Sequence, residues 1–230
     1  MIDVRKAQTR FHTAIDWLDS WHSFSFGEHH DARNVNHGLL LVNNDDVVAP
    51  GQGFGTHPHR DMEIVTWVLR GELEHRDSEG NHAVIRPGLA QRMSAGTGIR
   101  HSERNASAAN DLRLVQMWVL PDEKGIRPGY EEADVTDLLR GGGLVKIASG
   151  SDDGAIHIHQ RDAALYVARL SPGQQIAIPE ARHVHVFAAV GESAIGDLNL
   201  DEGDAVRLTD ETGLTLEARD PSEVIIWATA

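Results

Sequence analysis

Short apolar runs broken by turn residues recur along the chain, and no segment keeps a helical period. Gly38 to Val42 is one such run, and Asn43-Asn44-Asp45-Asp46 reads as the turn that ends it. Met62 to Leu69 has the β-branched and aromatic content of a buried strand, in Ile64, Val65, Thr66, Trp67 and Val68. Gly71 to His75 and His82 to Arg86 flank Asp77-Ser78-Glu79-Gly80-Asn81, a hairpin signal. Pro87-Gly88 makes the next turn and Ala95-Gly96-Thr97-Gly98 another. In Leu112 to Val119, the residues Leu112, Leu114, Gln116 and Trp118 fall on one face. Pro121 to Glu132 is charged and turn-rich, which predicts a linker, and Trp17 to Phe26 reads as core packing.

The second half repeats this grammar. Gly71 matches Gly191 at a spacing of 120, whereas Gly88, Thr97 and Gly98 match Gly203, Thr212 and Gly213 at 115. A shorter hairpin in the second copy explains the change of five. Several matches in order predict an all-β chain with a duplicated domain, divided at 1–130 and 131–230.

Composition then narrows the function. A chain of 230 residues is long enough to bury ~70% of the surface its unfolded form exposes. The net charge of −14 argues against a direct grip on nucleic acid, which needs clustered Lys and Arg, and against docking on an anionic membrane. With no cysteine, thiolate nucleophiles, iron–sulfur clusters and Cys-based zinc sites are excluded. The start, Met1 to Lys6, lacks the apolar core of a secretion signal, and no apolar run is long enough to span a bilayer as a helix. The expected location is the cytoplasm. What stands out is fourteen histidines.

Two segments place potential ligands at i and i+2: His57-Pro58-His59, after Gly51-Gln52-Gly53-Phe54-Gly55-Thr56, and His101-Ser102-Glu103, after Gly96-Thr97-Gly98-Ile99-Arg100. On a strand that spacing aims both side chains at one face, so two such pairs on neighbouring strands can converge. Imidazole and carboxylate donors suit zinc, iron, nickel and copper. A lone His-x-His in a loop is usually solvated surface; the joint occurrence of two pairs, each behind a glycine-rich turn, is far more specific. Gly51-x-Gly53-x-Gly55 is not a nucleotide-binding fingerprint, because its spacing is wrong and no helix follows.

These residues resemble the cupin superfamily. Its first motif falls on Gly51, His57, His59, Glu63 and Gly71, with one extra residue before Gly71. Its second falls on Gly98, His101 and Asn105, with Gly96 where a proline is usual. The chain is more closely similar to pirin and the bacterial pirin-like proteins, in Trp17 to Phe26, Gly51 to His59 and Ser94 to Glu103. The resemblance is strong over residues 1 to 121 and weaker beyond. It implies two tandem cupin barrels and one divalent transition metal in the first, held by His57, His59, His101 and Glu103. Iron is the leading identity, with zinc, nickel, copper or cobalt as alternatives. Glu63 then departs from the general cupin pattern and is expected to be structural.

The resemblance further implies a dioxygenase that opens a flavonol such as quercetin with molecular oxygen. Glu103 would be both ligand and catalytic base for the flavonol hydroxyl. Phe54 and Met93 are candidate walls for a planar substrate. The rival reading is a regulatory protein whose metal oxidation state tunes docking to a protein partner, and a third is a structural metal alone. The repeat spacings carry His57 and His59 onto Ala177 and Pro179, and His101 and Glu103 onto Leu216 and Ala218, so no second metal site is expected. His183 and His185 fall opposite Glu63 and Val65, and His157-x-His159 matches no ligand pair. His29, His30, His75 and His82 read as solvated surface or turn residues.

Overall fold

The computed structural model describes residues 1–151 and 153–230. The strands in chain order are β1 (Ile2–Arg5), β2 (Phe11–Ile15), β3 (Leu18–His22), β4 (Leu40–Val48), β5 (Gly53–His59), β6 (Glu63–Arg70), β7 (Leu73–Asp77), β8 (His82–Ile85), β9 (Leu89–Ser94), β10 (Ile99–Asn105), β11 (Leu112–Val119) and β12 (Gly129–Asp134). A five-residue helix, α1 (Thr136–Arg140), precedes β13 (Leu144–Ser149), β14 (Ile156–His157), β15 (Ala163–Leu170), β16 (Gln175–Ala177) and β17 (His183–Val190). The chain ends with β18 (Ser193–Ile195), β19 (Leu198–Leu200), β20 (Ala205–Thr209), β21 (Thr215–Ala218) and β22 (Ser222–Thr229). Among the described residues no helix is long and apolar enough to cross a membrane.

The strands form two copies of one pattern. A seven-stranded sheet ordered β12-β9-β6-β11-β4-β3-β2 faces a four-stranded sheet ordered β5-β10-β7-β8. The second copy is β1-β20-β17-β22-β15-β13-β14 with β16-β21-β18-β19, in the same order, except that the edge pair β13–β14 is parallel where β3–β2 is antiparallel. The duplication read from turn glycines is therefore a duplication of topology. Gly71 and Gly191 both adopt positive φ, +85° and +72°, at the β6–β7 and β17–β18 turns. An added Cβ would stand 2.9 Å from Asp111 O in the first turn and 2.4 Å from Pro221 O in the second. Only glycine fits that geometry twice.

Two segments cross the 130/131 division in the pairing. β1 pairs with β20, taking in the second copy the edge that β12 takes beside β9 in the first. The stretch expected to be a linker thus ends in a paired strand, because Gly129–Asp134 covers the open edge of β9.

Both faces of each large sheet are buried. Val65, Trp67, Val115 and Met117 pack with Leu165, Val167, Phe187, Ile225 and Trp227 in one shared core between the sheets. The opposite face points into each barrel, so strands such as β6 read as continuous apolar runs instead of alternating ones.

One expected turn is corrected. Asn43 to Asp46 lies inside β4, paired with β11 on one side and β3 on the other. Distant partners hold Asn43 and Asp45 in place. Asn43 Nδ2 donates to Ser23 Oγ at 3.1 Å, and Arg113 grips Asp45 through Nε at 2.9 Å and Nη2 at 3.1 Å. Arg113 also donates to the Ala189 carbonyl of the second copy, at 3.0 Å. Asp45→Ala would remove the carboxylate shared by Arg113 and the largely buried Arg10 side chain, so we expect a stability loss of about 3–5 kcal/mol in denaturant unfolding. A loss under about 1 kcal/mol would mean that Glu202, which also pairs with Arg113 at 2.6 Å, suffices alone.

Candidate metal centre and substrate cavity

The site sits between the two sheets of the first barrel. In the antiparallel β5–β10 pair, His101 stands opposite His57 and Ile99 opposite His59. The register then shifts, so that Glu103 stands opposite Phe54. Three steps on β5 answer two on β10, a bulge around Gly55 and Thr56. Gly53 lets the strands close beyond it, since a Cβ there would lie 2.2 Å from Glu103 O.

The three imidazoles converge. Ring centroids are 4.8 Å apart for His57–His59, 4.5 Å for His57–His101 and 4.9 Å for His59–His101. One potential ligand atom from each lies within 4.8 Å of the other two. Their hydrogen bonds determine which nitrogens are free. His57 Nδ1 lies 2.7 Å from the Gly55 carbonyl, which can only accept, so Nδ1 carries the proton and Nε2 keeps its lone pair. His59 Nε2 and His101 Nε2 are buried without a partner among the described residues. Buried acceptors of this kind are costly unless something fills the gap between them.

Behind His101 stands a chain that sequence reading missed. His75 Nε2 lies 3.3 Å from Asp77 Oδ2, and His75 Nδ1 lies 3.5 Å from His101 Nδ1. A carboxylate accepts, so His75 donates through Nε2 and accepts at Nδ1. His101 then donates through Nδ1, which turns its Nε2 lone pair toward His57 and His59. His75 is 1% exposed, not a surface residue as expected. Burial works against ionised Asp77, but hydrogen bonds from Asn81 and His75 outweigh it and hold the carboxyl below its usual range.

Glu103 is placed beside His101 and His75, in an overlapping set that does not close around all three clustered imidazoles. Its Oε2 accepts from Gln116 Nε2 at 2.7 Å, and Gln116 Oε1 accepts from Trp118 Nε1 at 3.0 Å. That chain pins one carboxylate oxygen. Burial, then the neighbouring imidazoles, lower the His59 pKa to about 4 and that of His101 to about 3. Both are therefore neutral at pH 7, the state in which imidazole can ligate.

His57, His59 and Glu103 open onto a cavity of about 380 Å³. Phe26, Phe54, Leu18 and Trp118 supply apolar walls, while Ser20, His22, Asn44, Asp46 and Gln116 come from the facing sheet. Phe54 is a wall as expected, but Met93 packs with Ile64, Ala95 and Ile99 away from the cavity. The segment read as packing splits along its length: Phe24 is core, whereas Leu18, Ser20, His22 and Phe26 line the cavity. Glu63 is fully buried elsewhere, where its Oε2 accepts from Ser94 Oγ at 2.9 Å and His159 N at 3.0 Å. It ties the two copies together.

In the second barrel the corresponding positions are filled by core. Leu216 stands opposite Ile176, and Ile178 N donates to Leu214 O at 2.9 Å, so the counterparts of His57 and His59 are Ile176 and Ile178. Ala177 and Pro179, expected from the spacing of 120, are one residue out of register. Ile176, Ile178, Leu216 and Ala218 join one buried aliphatic cluster.

The Pirin family model matches residues 3–119, and the model described as the quercetinase C-terminal cupin domain matches 146–227. A protein of Escherichia coli (strain K12) named quercetin 2,3-dioxygenase is 42% identical over 229 residues, covering 99% of this chain and 98% of its own. A Mycobacterium tuberculosis protein, to which the same activity is given provisionally by name, is 54% identical over 98% of this chain and 94% of its own. The crystal structure of the bacterial pirin YhhW from Escherichia coli in complex with nickel(II) superposes with a TM-score of 0.90 at 40% identity, covering 99% of this chain and 98% of that one. With the duplicated barrels and the clustered imidazoles, these likenesses lead to one assignment: the chain belongs to the pirin family.

Proposed function

We propose that the protein is a metal-dependent dioxygenase that opens a flavonol such as quercetin with molecular oxygen. The observation that carries this reading is the convergence of three imidazoles, two of them with buried unpartnered Nε2 atoms, at the wall of a cavity with apolar sides. The names of the relatives from Escherichia coli and Mycobacterium tuberculosis point to the same substrate. His57, His59 and His101 would hold one divalent transition metal, with Glu103 as fourth ligand. Iron is our leading identity; nickel, zinc, copper and cobalt suit the same donors. When bound, the ion supplies Lewis acidity and open coordination positions for substrate.

The remaining chemistry belongs to the chain. Among the described residues Glu103 Oε1 receives no hydrogen bond, while Gln116 holds Oε2, so Oε1 is the atom free to take the proton of a flavonol hydroxyl. Phe26, Phe54 and Trp118 would flank the planar rings and keep water from the reacting face. The cavity volume of about 380 Å³ suits one small aromatic molecule.

Oxygen uptake tests the reading. Protein loaded with iron should consume quercetin and oxygen together in air, be inactive under nitrogen, and lose activity with a chelator. Uptake that survived complete metal removal would sink the mechanism. No uptake from any metal form, across several flavonols, would favour the rival regulatory role, in which the same ligands serve docking to a protein partner.

The His75–Asp77 chain gives a further expectation. Groups that orient a ligating histidine typically contribute 10–100-fold to metal affinity. His75→Ala should weaken nickel or zinc binding by about that factor, read by competition with a chromophoric chelator. Unchanged affinity would remove His75 from the support of His101.

A further inference from the structure

Asp45 and Asp46 are neighbours on β4 with opposite fates. Asp45 faces the core between the barrels and pairs with two arginines, Arg113 at 2.9 Å and Arg10 at 3.4 Å. Asp46 faces the cavity that holds His57, His59 and Glu103, is 5% exposed, and forms no ion pair among the described residues. Its Oδ1 accepts the Ser20 hydroxyl across the β3–β4 pair, and its Oδ2 receives no hydrogen bond among the described residues. Beside it Asn44 Oδ1 is buried and likewise unpartnered. A buried carboxylate without a cation or a full set of donors is expensive, and a stable fold has cheaper residues for this position. Burial first, and then the nearby charges of Asp45 and Glu103, push this carboxyl up to about 7 despite the donor at Ser20.

The strand register gives its distance from Gln116, the residue that holds Glu103. Gln116 stands opposite Asn44, whereas Asp46 lies two residues further along the adjacent strand. One strand spacing and two residue rises separate the Cα atoms of Gln116 and Asp46 by roughly 8 Å. That is the span of a fused pair of aromatic rings.

We propose that Asp46, steadied by Ser20 and flanked by Asn44, is a specificity residue that binds a substrate hydroxyl remote from the metal centre. The inference rests on the flavonol reading and sharpens it. The preferred substrate is a polyhydroxylated aromatic with one hydroxyl at Glu103 and another on a distal ring, donating to Asp46 Oδ2. A flavonol carrying only the 3-hydroxyl would satisfy the histidine end and leave Asp46 unpaired. Leu18, Phe26, Phe54 and Trp118 give shape but no hydroxyl recognition.

The test is a binding comparison under nitrogen with the metal-loaded protein, using quercetin and 3-hydroxyflavone as probes. Wild type should favour quercetin. In Asp46→Asn, which keeps the oxygen facing Ser20, the preference should shrink by roughly 10-fold or more, the usual weight of a hydrogen bond to a charged group. The affinity for 3-hydroxyflavone should move by less than about 2-fold, and comparing each probe across the two proteins cancels intrinsic differences between the flavonols. Ser20→Ala should cut the same preference more weakly and provides a second variant should Asp46→Asn fold poorly. A quercetin preference unchanged in both variants overturns the role of Asp46 and leaves the flavonol reading standing. Failure of both flavonols to bind the metal-loaded wild type overturns that reading, and this inference with it.

Discussion

Replacing His101 with alanine should strip the protein of its metal under conditions in which wild type stays loaded. His101 is shared by the imidazole triangle and the His75–Asp77 chain, so its loss removes a proposed ligand and orphans its support together. The drop in affinity should exceed the roughly 10–100-fold that follows loss of a group standing behind a ligand. Metal content after dialysis against a weak chelator reads this directly, and full occupancy in His101→Ala would refute the assignment. Acid sharpens the test. Burial, then neighbouring imidazoles, depress His59 to about 4 and His101 to about 3, against ~6.5 in the unfolded chain. Between those values the unfolded state binds more protons, so the stability of metal-free protein is full above pH ~6.5 and falls as pH drops through the folded values. His101→Ala removes one of those groups. The Tm gap between variant and wild type, both metal-free, should therefore shift in favour of the variant as pH falls from 7 to 4.5. A gap that stayed constant would mean that His101 does not titrate between the folded and unfolded chains.

The parts of the fold legible in the sequence are those with local causes. Gly71 and Gly191 announce their turns because positive φ against a close backbone neighbour admits little else. His57-x-His59 and His101-x-Glu103 announce a shared face because the strand period is two. What was not legible depends on partners far away in sequence. Asn43 to Asp46 looks like a turn until Ser23 and Arg113 are brought beside it. His75 looks like a hairpin surface residue, yet the four-stranded sheet folds β7 against β10 and buries it beneath His101.

The single-residue error in relating the barrels has the same origin. Turn spacings count residues, whereas pairing counts opposed residues, and a connection of different length changes one without the other. Gly71 lies 12 residues after His59 but Gly191 lies 13 after Ile178, so a spacing of 120 points to Ala177 where register gives Ile176. Both measures agree that the second barrel offers aliphatic side chains where the first offers imidazoles. The cavity walls from β3 and β4 show no ligand spacing, and although Trp17 to Phe26 carries the family resemblance, nothing in it singles out Ser20. Ser20 and Asp46 become partners only through cross-strand register, and neither has a telling neighbour in sequence.

Glu103→Gln should retain part of the metal and lose most turnover. The two duties proposed for Glu103 place different demands on its side chain. Ligation needs an oxygen near His101, and an amide oxygen still provides one, though without charge. Proton transfer needs a basic oxygen, which an amide lacks. Gln116 already donates to Oε2 of Glu103 at 2.7 Å, and Trp118 fixes Gln116 from behind at 3.0 Å. A glutamine at 103 can present its amide oxygen to that donor, so the side chain keeps its place while Oε1 is replaced by an NH2 group facing the cavity. General-base contributions are typically ~10²–10⁴-fold, and kcat should fall within that range while quercetin affinity changes far less. The comparison is steady-state oxygen uptake per bound metal, with metal measured in the same sample. Equal turnover per metal in Glu103→Gln would remove the residue from proton transfer and leave it as a ligand alone. Loss of all metal in Glu103→Gln would make ligation its dominant role, and turnover restored by excess metal would establish that order.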